Sequence, residues 1–133
     1  MRRLFLIVAA TIAVSTASAQ RRIGQEMTLN RTAHSGQPVR IYTHVDFNTR
    51  CEARASPLVT TRVQPAHGTI SVRPDTVEVR ELGANSVDCT GRMMPGTGVY
   101  YTSQPGFVGT DQFQYDVEQA TMTREVMVTV EIR

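Results

Sequence analysis

Lysine is absent from this chain, and all 14 of its basic residues are arginine. The arginines are scattered along the sequence, and nowhere do four or more of them cluster. A nucleic-acid-binding surface needs a concentrated basic face, so the distribution argues against a nucleic-acid partner. We interpret the missing lysine as a coding bias and not as a functional feature.

A long apolar run is also missing. The run at residues 4–14 is too short for a good membrane span, and it follows Arg2 and Arg3. Ala17-Ser18-Ala19 then has the small-x-small spacing that is typical of a signal-peptidase site. We therefore expect residues 1–19 to be a cleaved signal peptide and residues 20–133 to form a single exported domain, periplasmic or secreted, without a membrane span. An uncleaved anchor is the alternative.

The net charge of the chain does not indicate a class of binding partner either. Cleavage would remove two of the 14 basic residues and none of the 12 acidic ones, which leaves the mature domain formally neutral.

Cysteine is scarce, with only Cys51 and Cys89. In an exported chain such a pair is most simply a disulfide, and two separate buried thiols are the alternative. A bridge closing a loop of about 38 residues would stabilise the fold by roughly 4 kcal/mol in the chain-entropy model. Neither cysteine lies in a C-x-x-C arrangement, which disfavours a redox-active pair.

No helical period occurs after residue 20, whereas polar and apolar residues alternate in several segments. The alternation predicts that Phe113 and Tyr115 face the core. In the earlier strand it predicts that Ile41 and Thr43 face the core and that Tyr42 and His44 face outward. The predicted strands lie at 25–32, 39–47, 58–63, 69–73, 76–80, from 99 onward, 110–118 and 121–133. Pro74-Asp75 is predicted to be a turn, and residues 82–97 a long loop. The pattern predicts an all-β fold, an antiparallel β-sandwich of about seven strands.

Motifs for catalysis and metal binding are missing as well. The sequence contains no Gly-x-Ser-x-Gly elbow, no glycine-rich phosphate loop before a helix and no EF-hand loop. His34, His44 and His67 lack the tight ligand spacing of a zinc site. Catalytic residues, a metal and a cofactor are therefore not predicted, and the protein is not expected to be an enzyme.

Two segments carry a family resemblance. Residues 65–72, PAHGTISV, and residues 101–117, YTSQPGFVGTDQFQYDV, resemble the Pro-x-His-Gly-Thr and Tyr-Thr-Pro-x-x-Gly-Phe-x-Gly-Thr-Asp-x-Phe-x-Tyr segments of the bacterial Ig-like, cadherin-like domain. The match covers residues 59–132. The sequence departs from the family pattern at Ser103, where the family usually has proline, and at the turn 118–120, which lacks an Asp-Gly pair. A cysteine pair and a single copy of the domain are also unusual for the family.

The resemblance implies an Ig-like sandwich of the kind found in tandem arrays of surface adhesins. The chemistry of the residues in these two segments predicts structural roles. Glycines allow turns, Thr and Asp side chains hydrogen-bond the backbone of a turn, and aromatic side chains fill the interface between the sheets. The structural turn and core residues so predicted are His67, Gly68, Tyr101, Pro105, Gly106, Phe107, Gly109, Thr110, Asp111, Phe113 and Tyr115. We expect the His67 ring to bond local backbone.

The predicted function is that of an exported, non-enzymatic Ig-like module that binds another protein or a cell-envelope component, as an adhesion-type or accessory domain. Loops on a rigid sandwich commonly carry recognition, and edge-strand addition is a second route. The predicted binding residues, on and beside the 82–97 loop, are Arg92, Met93, Met94 and Tyr100. The alternative is a periplasmic copper-binding protein that uses Met93, Met94 and a histidine, because thioethers suit Cu(I).

Overall fold

The computed structural model describes residues 23–83 and 87–133. The predicted signal peptide and the tip of the predicted 82–97 loop, residues 84–86, lie outside the described residues. Seven strands make up the fold, and the described residues contain no helix. The strands are β1 (Ile23–Ala33), β2 (Pro38–His44), β3 (Leu58–Val63), β4 (Gly68–Glu78), β5 (Met93–Ser103), β6 (Gly109–Glu118) and β7 (Thr123–Ile132).

The strands form two sheets, in the orders β1-β7-β6-β3 and β2-β5-β4. Every pairing is antiparallel except that of β1 with β7, which is parallel. This confirms the predicted all-β sandwich of seven strands. β6 and β7 form a hairpin, whose turn closes with a hydrogen bond from Gln119 N to Met122 O.

The core between the sheets follows the predicted alternation on β6 and β7. Tyr101 of β5 and Tyr115 of β6 are fully buried among the inward valines. The inward residues of β6 and β7 are at most 3% exposed: Phe113, Tyr115, Val117, Val126, Val128, Val130 and Ile132. Burial of these side chains drives the two sheets together, because each contributes about 1.5–3 kcal/mol when removed from water.

The alternation predicted for β2 is wrong beyond Ile41. A register shift between Arg40 and Tyr42 inserts an extra residue opposite β5, and such a bulge moves the following side chains to the other face. Ile41 still enters the core, but His44, predicted to face outward, is 4% exposed. The hydroxyl of Thr43, predicted to face the core, instead bonds Asp75 on the outer face of its sheet.

The turn predicted at Pro74-Asp75 is also wrong, because β4 runs unbroken from Gly68 to Glu78. β4 pairs only with β5, so it is an edge strand. Proline lacks a backbone N–H, and an edge strand tolerates that loss on its open side.

The long loop predicted at 82–97 is shorter than expected, since β5 begins at Met93. Pro95 and Gly96 lie within this strand, where only β4 is paired opposite them; the pairing of β2 with β5 ends at Thr97.

Cys51 and Cys89 form the predicted disulfide. The bridge joins the segment after β2 to the segment before β5 and lies in a second, smaller core. This core contains buried Val79, Cys89 and Met94, with Val45, Phe47, Cys51 and Val87 packed against them. The disulfide therefore fixes the end of the sandwich where β2 and β4 finish.

The predicted turn before β6 is present. Phe107 N donates to Gln104 O, and Gly106 and Gly109 have φ of 85° and 139°, a region that suits glycine. The His67 ring does not take the predicted role: it is exposed and stacks on Phe107 at 4.1 Å between ring centroids. The His67 backbone N–H, and not its ring, makes the bond to Asp111. Thr110 is exposed at the start of β6.

Candidate functional site

The four predicted binding residues do not form one surface. Arg92 is exposed in the turn before β5, and Met93 beside it is 63% exposed. Met94 points to the opposite side of β5 and is 3% exposed in the smaller core. A shared copper site would need both sulfurs on one side, and the strand separates them. Among the described residues, no group of three or more His, Cys, Asp or Glu side chains is placed to hold a metal ion.

Tyr100 lies instead in a polar network on the outer face of the β2-β5-β4 sheet. The Asp75 carboxylate accepts hydrogen bonds from the Thr43 hydroxyl at 2.7 Å and the Tyr100 hydroxyl at 2.8 Å. Those bonds, with Arg40 at 3.7 Å, hold the pKa of Asp75 below its ordinary value. The Arg73 guanidinium lies 3.7 Å from the centre of the Tyr100 ring, in a cation–π contact. These groups satisfy one another, so this face offers little to a ligand.

A cavity of about 400 Å³ opens at the side of the sandwich where β1 and β2, one edge strand of each sheet, lie together. We call it the lateral cleft. β1, β2, the start of β7 and the segment after β4 all contribute to its walls. The wall residues that matter here are Arg31, Tyr42, His44, Leu82, Gln119, Met122 and Arg124.

Arg124 occupies a core-facing position. It pairs with Val117, which is fully buried, and it continues the inward alternation of Val126 and Val128. Its Nε atom is buried and, within residues 23–83 and 87–133, has no hydrogen-bond partner. Its two Nη atoms lie 4.0 Å and 3.8 Å from the thioether sulfurs of Met27 and Met122. Thioethers are only weak acceptors, so this partly buried guanidinium has no strong acceptor among the described residues.

Arg31 brings a second cation to the cleft. Its Nε donates to Ile41 O at 2.8 Å and one Nη donates to Asn30 O at 2.8 Å. Both acceptors are backbone carbonyls, and the ion pairs formed by the described residues do not include Arg31 or Arg124. The bond to Ile41 also ties the edge of one sheet to the edge of the other.

His44 and Tyr42 line the cleft, and His44 also contacts the buried Tyr115. His44 Nε2 lies 2.9 Å from the Tyr115 hydroxyl, and its ring centre lies 4.8 Å from that of Tyr42. Burial, and secondarily the positive charge of Arg124, lower the pKa of His44 to about 4. His44 is therefore neutral at pH 7 and adds no charge to the cleft.

The opposite rim is acidic and exposed. The Tyr42 hydroxyl lies 3.3 Å from Glu81, and burial together with the negative charge of Glu81 raises the pKa of Tyr42. Counting all side chains in the wall, four arginines face three carboxylates, which gives a formal charge of +1. The arrangement can bind an anionic group by charge-assisted hydrogen bonds.

Arg124 and Arg31 were not among the residues predicted from sequence. A signal for Arg124 was present, since the every-second-residue pattern of β7 extends back from Val126 to this position. No comparable signal existed for Arg31 or His44, because their positions in the cleft depend on the contact between two edge strands and on the bulge in β2.

No protein family model matches the chain, and no curated protein matches it significantly. Within residues 23–83 and 87–133, no helix has the length and apolar character needed to cross a membrane.

Proposed function

We propose that this protein is an exported, non-catalytic binding module of the cell envelope that recognises a partner protein through the lateral cleft. The observation that carries the proposal is the cleft itself, in which Arg31 and Arg124, which form no ion pair with a described carboxylate, face an open cavity of about 400 Å³. Cavities of this size are typical of binding sites. The disulfide and the apolar segment at residues 4–14 support export.

The construction around the cleft suits recognition. β1 and β7, which both contribute to its walls, are paired with each other, and the smaller core with the Cys51–Cys89 bridge supports the adjoining end. Rigid walls reduce the conformational entropy that binding costs. Leu82, at the rim, is 62% exposed and offers an apolar contact to a partner. The resemblance to Ig-like, cadherin-like domains, which occur in surface adhesins, supports the same class of function.

A site-specific photo-cross-linking experiment tests the proposal. A photoreactive amino acid replaces Leu82 in one variant and Val108 in a control variant. Val108 is 68% exposed and lies beside the end of β7, whereas Arg124 lies near its start. In the native host, we expect a discrete protein adduct from position 82 that is absent from position 108. Equal adducts at both positions, or none at position 82, would refute binding through the cleft.

A further inference from the structure

We propose that the lateral cleft binds a carboxylate group attached to an apolar body, and that Arg124 is the residue that receives it. This inference rests on the proposed function and specifies the chemistry of its ligand. Three features of the cleft support it: the bonding of Arg124, the charge of the walls and their mixed polarity.

The first feature is the unsatisfied guanidinium. A buried polar group normally has a hydrogen-bond partner, and one without calls for an explanation. The Arg124 Nε is buried and unpartnered among the described residues, and its two Nη atoms contact the thioether sulfurs of Met27 and Met122 at 4.0 Å and 3.8 Å. A guanidinium presents its N–H groups as a fork that matches the two oxygens of a carboxylate. A ligand carboxylate would therefore supply the oxygen acceptors that the described residues do not give to Arg124.

The second feature is charge. The walls carry four arginines and three carboxylates, and His44 is neutral, so the formal surplus is one positive charge. A monoanion neutralises that surplus. Inorganic phosphate, with more than one negative charge at pH 7, would leave excess negative charge beside Glu78 and Glu81. The balance favours a carboxylate over a phosphate.

The third feature is the apolar part of the walls. Phe47, Leu82 and Met122, which are half-buried or exposed, line the cavity beside the charged residues. A cavity of about 400 Å³ is larger than a carboxylate needs, so the remaining space suits an aliphatic side chain. Both the carboxyl end of a polypeptide and a small free acid have this chemistry.

Titration by NMR tests the inference with defined probes. The purified protein is titrated with N-acetyl-leucine, with the tripeptide acid acetyl-dialanyl-leucine, with the amide of each, and with inorganic phosphate. The readout is the Arg124 Nε–H resonance, assigned by its disappearance in Arg124→Met. We expect saturable shifts with the acids and none with the amides. Tighter binding of the tripeptide would identify a chain end, and equal binding a free acid.

Two variants separate a binding role from a structural one. Arg124→Met should weaken acid binding about tenfold or more, whereas Arg62→Met, on the outer face of β3, should leave it unchanged. Arg62 is a suitable control because its guanidinium already pairs with Asp116. Arg124→Met should also unfold at the same or a higher urea concentration than the wild type, since it replaces an uncompensated cation with an apolar chain. A structural arginine would show the opposite.

Three results would overturn the inference: no shift with millimolar acid, equal shifts with acids and amides, or tighter binding of phosphate. Its failure differs from failure of the proposed function. A specific cross-link at position 82 without acid binding would overturn only the carboxylate. Acid binding without a protein cross-link would overturn only the protein partner.

Discussion

Replacing Asp111 with asparagine should destabilise the protein far more than the same change at any exposed aspartate. The Asp111 side chain is 3% exposed. Its Oδ1 accepts hydrogen bonds from Ala66 N and Gln112 N at 2.9 Å and 3.0 Å. Its Oδ2 accepts from His67 N at 2.9 Å and from the Tyr101 hydroxyl at 2.8 Å. One carboxylate thus holds the start of β4, the start of β6 and the middle of the core together.

Asparagine keeps only one of the two oxygens, so two of the four donors lose their acceptor in Asp111→Asn. A buried donor left unsatisfied costs about 1–3 kcal/mol. The Tyr101 hydroxyl can turn toward His67 O, which lies at 3.5 Å, and the exposed backbone near His67 can bond water. Allowing for this compensation, we expect a loss of about 3 kcal/mol in the free energy of unfolding.

Asp116→Asn is the matched control on the same strand. Asp116 pairs with Arg62 on the outer face, where the side chains of Asp116 and Arg62 are 18% and 48% exposed. Ion pairs of this kind contribute about 0–1 kcal/mol. In urea unfolding at pH 7, followed by circular dichroism, the midpoint of Asp111→Asn should therefore fall by roughly 2 M, and that of the control by much less. Similar midpoints for the two variants would refute the assigned role of Asp111.

The pH dependence gives a second test. Burial raises the pKa of Asp111, but the hydrogen bonds that it accepts outweigh burial and hold the pKa below the ordinary 3.8. A lowered carboxyl pKa stabilises the fold above the unfolded value, and this stabilisation is lost as pH falls through the folded value. The difference between wild type and Asp111→Asn should therefore narrow below about pH 4. A difference that stays constant into acid would contradict this account.

Two further predictions concern the cleft and the end of the sandwich beside it. The folded pKa of His44, about 4, lies below its ordinary 6.5, so its protonation favours unfolding and stability should fall by about 3 kcal/mol as pH drops from 6.5 to 4. Urea unfolding at a series of pH values should show no such loss of stability in His44→Gln. The control variant His34→Gln, at an exposed position, should show the same loss as the wild type. A similar decrease of stability with falling pH in His44→Gln would contradict the assignment. The double substitution of Cys51 and Cys89 by serine should lower the free energy of unfolding by roughly 4 kcal/mol. The measurement is urea unfolding of the variant and of the oxidised wild type. A loss below 1 kcal/mol would show that the smaller core is stable without the bridge.

Strands with one face in the core were predictable because the burial of that face alone produces the alternation of apolar and polar residues. On β6 and β7, each second residue is apolar and buried, from Phe113 to Val117 and from Val126 to Ile132. The disulfide between Cys51 and Cys89 was predictable from their number and the expected export, without knowledge of their positions in space.

Predictions of strand and loop bounds failed where the bounds depend on which strands pair with each other. Pro74 breaks a strand only if its missing N–H would face another strand, and β4 is an edge. Met93 and Met94 looked like a loop because glycine and proline surround them, yet β4 pairs with both. These outcomes depend on strand order, which local residue patterns do not encode.

The sequence by itself determined that the chain forms strands, which faces of the last two strands are apolar, and that two cysteines are available to bridge. Only the tertiary structure decided what lies in the lateral cleft. The β2 bulge turned His44 inward, the meeting of β1 and β2 placed Arg31 in the cleft wall, and the end of the core left the Arg124 Nε without an acceptor among the described residues. Alternation is local and repeats every two residues, whereas a cleft is formed by segments far apart in the chain whose register is set by the packed sheets.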